Sequence, residues 1–458
     1  IVVFAFFKIK RDEAEKQEIE QRISENTQEK VTEIRLGIAQ FDTLNPLLTN
    51  NKNIQDITRI IYEPLMNISS DYKAEQGLAI EWAKQNDTTY IIKLRENVKW
   101  SNGERFTSAD VQYTIERLKE RQTIYSTNVQ HIATLEIVDD YTIKFNLDQE
   151  VPFFEYNLTF PILSKTFFDT NDFNNTSIVS VGTGMYQVSD VQQTYITLTK
   201  NTNWWNRDKQ LSLDKIIINI YDTAGELYNS FKMGNVDVIN TDNTNIQDYI
   251  GTIGYTLKEM KGREHTFIAL NTQNYFLAKQ EVRKAIAYSI DKQNIVSSVY
   301  DNKCYTSSFP LDYGSWIYQE QDASSGYNTE QAKQLLTNAG WKYSNRYWQI
   351  TENYRTQRLV LNLVVKASDT TNVAIAQNIK TQLEAQGIRV NIQQYSDEQY
   401  RNALNAKSYD MILCTINLSL SPDMTTFFGA NNLANYTTGP GFLYTIVIEI
   451  WKSVRCRR

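Results

Sequence analysis

The sequence predicts an α/β fold of two lobes joined by a hinge made of strands. Its 458 residues are enough for two or three lobes rather than one. The second half alternates strand and helix patterns in a βαβαβ order, which implies a parallel sheet with helices on its faces. No internal repeat and no Gly/Pro-rich linker separates the halves, so the connection between lobes is expected to be strand rather than tether.

Ile1–Phe7 is an apolar run followed by Lys8, Lys10 and Arg11. It is too short to span a bilayer and reads as the end of an anchor or signal helix whose start is missing. Residues 13–30 are polar and charged, as in a helical or disordered stalk. The folded part is expected to begin near Val31 with the strand VTEIRLGIAQ, followed by a loop. A helix then carries Ile54, Ile57, Ile60 and Ile61 on one face. Tyr90–Arg95 reads as a strand, and Asn102-Gly103 after Trp100 supplies a tight turn with positive φ. Thr107 is placed to cap a helix, with Asp110 at its third position as in a capping box. Phe106 and Val111 stand at staple spacing, and Val111, Ile115 and Leu118 form the buried stripe.

Leu135–Leu147 alternates about Asp139-Asp140, predicting a hairpin. Gly182-Thr183-Gly184 reads as a tight turn, since no GK[ST] follows it to cradle phosphate. A helix through Ala224, Leu227 and Phe231 is expected to end at Gly234. Phe267–Asn271 reads as a strand. Val282, Ala285, Ile286 and Ile290 make a helical stripe, and Asp291 caps the next helix. Gly340 closes another. The strands 359–365, 388–392 and 410–415 then enclose a helix through Ile375, Ile379 and Leu383, with Gly387 as its C-cap.

Composition narrows the function. The chain carries a net charge of −6 with no long basic run, so nucleic-acid binding has no electrostatic footprint. Two histidines, His131 and His265, stand far apart, and three cysteines show no CxxC spacing. A metal site, a redox motif and a disulfide framework are therefore not expected, and neither is a cofactor. No GxSxG and no nucleophile–base spacing appears, so the chain reads as a binding protein rather than an enzyme. The 28 tyrosines suit wet, adaptable surfaces. Trp204-Trp205 reads as packing after a strand.

Nine segments, in order, resemble the peptide-binding family of ABC-importer solute receptors, the oligopeptide-, dipeptide- and nickel-type binding proteins. They are IIYEPLM, YIIKLRENVKWSNGERFTSADVQYTIERL, VGTGMYQV, NTNWW, MGNVDVI, FIALNT, VRKAIAYSIDKQNIV, AKQLLTNAGW and YDMILCT. The resemblance implies a two-lobed periplasmic-binding-protein-like fold of type II with an extra subdomain. Lobe I would span 31–266 with the subdomain at about 60–178. Lobe II would span 267–436, and residues near Ala269–Thr272 would lie at the crossover. It further implies a monomeric extracytoplasmic receptor, cell-surface or periplasmic, that closes on a peptide or other small solute and delivers it to membrane permease subunits.

By the same resemblance, ligand-facing residues are Asn50, Asn51 and Lys52, then Tyr125, then Asn271, and finally Ile416, Asn417, Leu418 and Ser419. The last group departs from the family pattern. An acidic residue there commonly pairs with the ligand's free amino terminus, and this chain has Leu418, with Asp423 nearby in a Pro-Asp pair. A buried ammonium without a carboxylate costs several kcal/mol, which leaves room for blocked peptides, sugars or other neutral solutes. Residues 437–458 match nothing in the family. Ile446–Trp451 reads as a strand and Arg455, Arg457 and Arg458 as a basic end. A truncated or frame-shifted end, or a diverged tail, would explain this stretch, and truncation would leave the second lobe without its return segment.

Overall fold

A computed structural model describes residues 32–424, apart from 242, 244–245, 252–253, 260–261, 308–309, 313 and 319–325, together with the backbones of two later strands. The stalk expected over 1–30 lies outside these residues. Strand β1 (Glu33–Ala39) and helix α1 (Lys52–Thr58) come first. An inserted subdomain follows with β2 (Met66–Ile68), β3 (Ala74–Gln76), β4 (Ala79–Asn86), β5 (Thr89–Leu94), α2 (Ser108–Glu120), α3 (Ser126–Val129), β6 (Ile132–Asp139), β7 (Thr142–Leu147) and α4 (Lys165–Phe168). Next come β8 (Tyr186–Val191), β9 (Tyr195–Lys200), β10 (Lys215–Tyr221), α5 (Ala224–Met233), β11 (Val238–Thr241), α6 (Ile246–Ile250) and β12 (Thr256–Glu259). The second lobe holds β13 (Glu264–Leu270), α7 (Gln280–Ser289), α8 (Lys292–Tyr300), β14 (Cys304–Ser307), α9 (Thr329–Asn338), β15 (Lys342–Ser344), β16 (Tyr347–Glu352), β17 (Arg355–Arg358), β18 (Val360–Lys366), α10 (Thr370–Ala385), β19 (Arg389–Tyr395), α11 (Asp397–Ala406) and β20 (Met411–Asn417). The last strands are β21 (Val447–Ile450) and β22 (Val454–Arg457).

Each lobe is built on one sheet with a core on both faces. The first has seven strands in the order β12-β22-β11-β1-β10-β9-β8. On one side Ile38, Ile216 and Ile218 join a large core shared with the subdomain, and on the other Leu227, Phe231, Val236 and Ile239 form a smaller one. Gly37 in β1 lets these layers close up, since a Cβ there would meet Leu227 Cδ1 at 2.3 Å. The second sheet runs β14-β21-β13-β20-β18-β19. Its strands alternate strictly: Ile268, Leu363 and Leu413 face helices α7–α10, and Phe267, Val364 and Cys414 face α11. Burial keeps Cys414 protonated, with its pKa pushed up to about 12. The expected parallel unit is present, with β18 parallel to β19 and β20.

Local chemistry accounts for many element ends. Thr107 and Asp110 form the capping box of α2, and the Thr107 N–H donates to Asp110 Oδ2 at 2.8 Å. Asp291 caps α8 by accepting from the Asn294 N–H. Gly234 ends α5 at φ 82 and Gly103 holds its turn at φ 92.

Three details differ from expectation. First, Gly182 and Gly184 do not make a left-handed turn. They permit close backbone approach, because a Cβ on Gly182 would lie 2.0 Å from the Ile61 carbonyl oxygen. Second, the chain passes between the sheets between Glu259 and Glu264. Ala269 and Leu270 are inside β13, and Asn271 closes that strand through its N–H to Asp410 O at 2.8 Å. Third, the tail contributes to both sheets. β21 lies antiparallel between β13 and β14, and β22 lies antiparallel between β11 and β12. A strand therefore does return to the first sheet.

Candidate functional site

A cleft of about 680 Å³ opens between the subdomain and the segment that leaves β20. The subdomain supplies Tyr125 and Asn128 from the start of α3, His131 before β6, and the run Gln149–Pro152 after β7. It also supplies Tyr156 and Asn157 from a 3-10 turn at Phe154–Leu158. The second lobe supplies Ser419, Leu420, Ser421 and Asp423.

Short polar turns fix this wall. The Thr123 N–H donates to Ser126 Oγ at 2.7 Å and the Tyr125 N–H to Thr123 Oγ1 at 3.1 Å, a pair of side-chain turns that aims Tyr125. Asn128 Nδ2 donates to Asn157 O at 3.0 Å and ties α3 to the 3-10 turn. His131 Nδ1 lies 3.0 Å from Asp148 Oδ1, and its Nε2 lies 2.9 Å from Gln130 Nε2. Glu150 is ion-paired with Lys84 at 3.0 Å. Burial raises the Tyr125 pKa, so its hydroxyl stays protonated. The wall thus presents amides, hydroxyls and two aromatic rings with a few carboxylates. Such a surface can hydrogen-bond a polar ligand through both donors and acceptors.

The residues expected to face ligand fall into two sets. Tyr125 and Ser419 both line the cleft, one from each side. Asn51 is the N-cap of α1, accepting from the N–H groups of Asn53 and Ile54 while its Nδ2 donates to Gln40 O at 2.8 Å. Asn50 and Lys52 flank it at the surface. Their loop hangs on Asp42, whose carboxylate accepts from the N–H groups of Thr43, Asn50 and Asn51 and from Thr49 Oγ1. Asn271 donates from Nδ2 to Tyr409 O at 2.8 Å and braces the far end of β13. Ile416 and Asn417 end β20. Leu418 is only 5% exposed, and its N–H donates to Arg263 O at 2.9 Å, extending the β13–β20 ladder by one pair.

Sequence reasoning missed most of the wall, His131, Gln149 and Tyr156 among it. The available signal was a polar, aromatic loop, QEVPFFEYN, straight after a strand, where binding residues concentrate. It also missed the contact between lobes beside the cleft. Trp316 donates from its N–H to Asp71 O at 2.9 Å and from Nε1 to Tyr156 Oη at 3.1 Å, and Tyr156 Oη donates to Tyr72 O at 2.9 Å. Arg263, in the crossing segment, makes a two-pronged pair with Asp312 and stands 5.6 Å from the centre of the Tyr72 ring. One cation thus contacts both lobes.

The root of the subdomain is set by Glu63. Trp204 Nε1 donates to its Oε1 at 3.1 Å, and Trp205 Nε1 to Oε2 at 3.0 Å. Arg95 lies over the Trp205 ring at 4.0 Å. Burial raises the Glu63 pKa above the usual carboxylate range, against the indole hydrogen bonds that lower it. Trp204 and Trp205 therefore pack and bond internally, as expected of them. Trp100 is fully buried and makes an edge contact with Phe106.

The family model for "Bacterial extracellular solute-binding proteins, family 5 Middle" matches residues 73–437. The oligopeptide-binding protein AppA of Bacillus subtilis is 22% identical over 416 residues, covering 87% of this chain and 75% of that protein. Among solved structures, the unliganded open form of the periplasmic murein tripeptide binding protein MppA superposes with a TM-score of 0.77 at 18% identity, covering 93% of both chains. A nickel ABC transporter structure from Bacillus halodurans superposes with a TM-score of 0.75 at 18% identity, covering 93% of this chain and 94% of that one.

Proposed function

The chain belongs to the bacterial extracellular solute-binding proteins of family 5, and from that premise we propose that it is the substrate receptor of an ATP-binding-cassette importer for peptide-like solutes. The observation that carries this reading is the cleft walled from both lobes and lined with amides and hydroxyls. Peptide main chain offers alternating donors and acceptors, and such a lining answers both while water fills the remaining space around varied side chains. The open lobes bind, closure about the crossing segments buries the ligand, and the closed form docks as a monomer on the permease. Lobe I, expected over 31–266 with its subdomain at about 60–178, ends with β12 at Glu259, lobe II, expected over 267–436, begins with β13 at Glu264, and an N-terminal segment holds the receptor at the outer face of the membrane.

Within the site, Tyr125 and Ser419 touch ligand directly. Asn51 and Asn271 position backbone, and Asn50, Lys52, Ile416, Asn417 and Leu418 frame the two approaching segments. No bond is made or broken, so no turnover is expected. A second reading, a metal chelate as cargo, is favoured by His131 in the wall and by the likeness to a nickel transporter structure.

Native mass spectrometry of the purified protein, followed by calorimetry with defined short-peptide pools, tests the proposal. A co-purified or titrated peptide that stabilises the protein is the expected result. No response to any peptide pool, alongside a clear response to a nickel chelate or a sugar, overturns the peptide reading.

A further inference from the structure

We propose, on the premise that the cleft is a peptide site, that it selects cationic ligands, peptides with lysine or arginine side chains, and that Glu150 sets this preference from the subdomain side. Carboxylates stand on both sides of the cleft, Glu150 in the subdomain wall and Asp423 in the segment after β20. No Lys or Arg lines it among the described residues. The sequence makes this a property of whole segments rather than of single positions. From Ser408 through β20 and Asp423 to Trp451 it holds no Lys or Arg, and residues 304–332 hold none either. Between Gln122 and Ser164, a stretch that contains the whole subdomain wall, the one such residue is Lys144. Its ammonium lies 3.4 Å from Glu136, and it does not line the cleft. The chain has 47 Lys and Arg in all, so composition does not explain their exclusion from these runs.

Cations near the cleft have acidic neighbours. Lys84 lies 3.0 Å from Glu150 and 2.8 Å from Asp87. Arg263 pairs with Asp312 at 2.8 Å. Arg59 and Asp56 act on the Tyr125 hydroxyl with opposite signs. His131, in the lining, has its Nδ1 3.0 Å from Asp148 Oδ1. The Glu150 side chain is 58% exposed. Lys84 donates to its Oε1, and its Oε2 has no donor among the described residues. An acceptor is thus open to a ligand ammonium or guanidinium. A cleft lined by charge of one sign concentrates ligands of the other sign and speeds their capture. It also rejects its own sign, since an acidic peptide would give up water to face carboxylates. Closure strengthens both effects as water leaves.

The test is calorimetry of the full chain with three pentapeptides, Ala-Lys-Ala-Lys-Ala, Ala-Gln-Ala-Gln-Ala and Ala-Glu-Ala-Glu-Ala, and with spermidine. The peptides are acetylated and amidated, so only side-chain charge differs. The lysine peptide should bind about tenfold more tightly than the glutamine peptide, and the glutamate peptide more weakly still. These differences should shrink as added salt shortens the screening length. E150Q should weaken the lysine peptide about fivefold and leave the glutamine peptide unchanged. Lys84 keeps Asp87 in that variant, so no cation is orphaned. E330Q, the same change of charge at an exposed position of α9, should bind all three peptides as the parent does. Equal binding of the three peptides, or loss of the lysine and glutamine peptides alike in E150Q, overturns the charge preference and leaves the peptide reading in place. Binding of spermidine but of no peptide overturns the peptide reading and upholds the preference for cations. No response to any of the four overturns both. The peptide series on the unaltered protein decides the matter without any substitution.

Discussion

Replacing Glu63 by leucine tests how the subdomain is held to the first lobe. Leucine has nearly the volume of glutamate but no acceptor. The Glu63 carboxylate accepts from Trp204 Nε1 at 3.1 Å and from Trp205 Nε1 at 3.2 and 3.0 Å, so E63L orphans two indole N–H groups. Each buried orphan costs about 1–3 kcal/mol, which gives roughly 2–6 kcal/mol in all. For a lobe of this size each kcal/mol lowers Tm by about 2–4 °C, so calorimetry should show a fall of roughly 4–24 °C. E63Q keeps one acceptor oxygen but turns a donor toward the second indole, and should cost about 1 kcal/mol.

The same change has a pH signature and a functional one. Burial places the folded-state pKa of Glu63 above its unfolded value. Its contribution to stability is therefore full below the ordinary glutamate range and is lost as pH rises through the raised folded value. E63Q should flatten that limb. Because Glu63 roots the subdomain that forms most of the cleft wall, E63L should also weaken ligand binding without touching ligand. The reasoning fails if E63L costs less than about 1 kcal/mol, or if its cost is unchanged in a W204F/W205F background, where a shared hydrogen-bond network should show coupling.

Asp110 is pushed up to about 6 by burial, so stability should decline as pH rises from about 4 to 6, and pH-dependent thermal unfolding of D110N should lack that slope. G182A drives a Cβ to 2.0 Å from the Ile61 carbonyl oxygen; backbone cannot yield as a side chain does, so denaturant unfolding should show a loss of about 3 kcal/mol or more. Y125A removes an aromatic ring from the cleft wall and should weaken ligand binding about tenfold or more by calorimetry; because the ring also packs against the first core, a fall in Tm should accompany it, and Y125F should keep Tm. D423N should selectively weaken peptides with a free amino terminus relative to their acetylated forms, since a buried ammonium needs a carboxylate partner; equal loss for both forms counts against that role.

Much of the fold was legible because local chemistry and global packing agree in this chain. The capping box of Thr107 and Asp110, the Asp291 cap, the Gly234 terminus and the Asn102-Gly103 turn are short-range signals, and the structure uses each at the expected residue. The parallel β18–β20 region was readable from its period alone. Features that depend on contacts far apart in sequence were not. The glycines at 182 and 184 answer to Ile60 and Ile61, some 120 positions earlier, and nothing beside them separates close approach from a turn. The tail resembled no motif, and the strands β21 pairs with lie well over a hundred residues upstream.

The site was less legible for a related reason. Its wall is made of loops, which carry no periodicity, and its members converge only once β6, β7 and the 3-10 turn are in place. Leu418 shows how one hydrogen bond reassigns such a residue. A strand's side chains alternate between faces, so extending a ladder by one pair decides which residue turns inward. The bond from the Leu418 N–H to Arg263 O carries the β13–β20 pairing one residue past Asn417 and buries the leucine. The turn into the cleft then begins at Ser419, and the acidic side chain presented there is Asp423 rather than anything at position 418. Asp423 and, on the opposite wall, Glu150 are the carboxylates that line the cleft. Arg263 makes that bond while its guanidinium grips Asp312 and faces Tyr72. The residue that fixes the register of the segment entering the cleft thus also stands where the lobes meet.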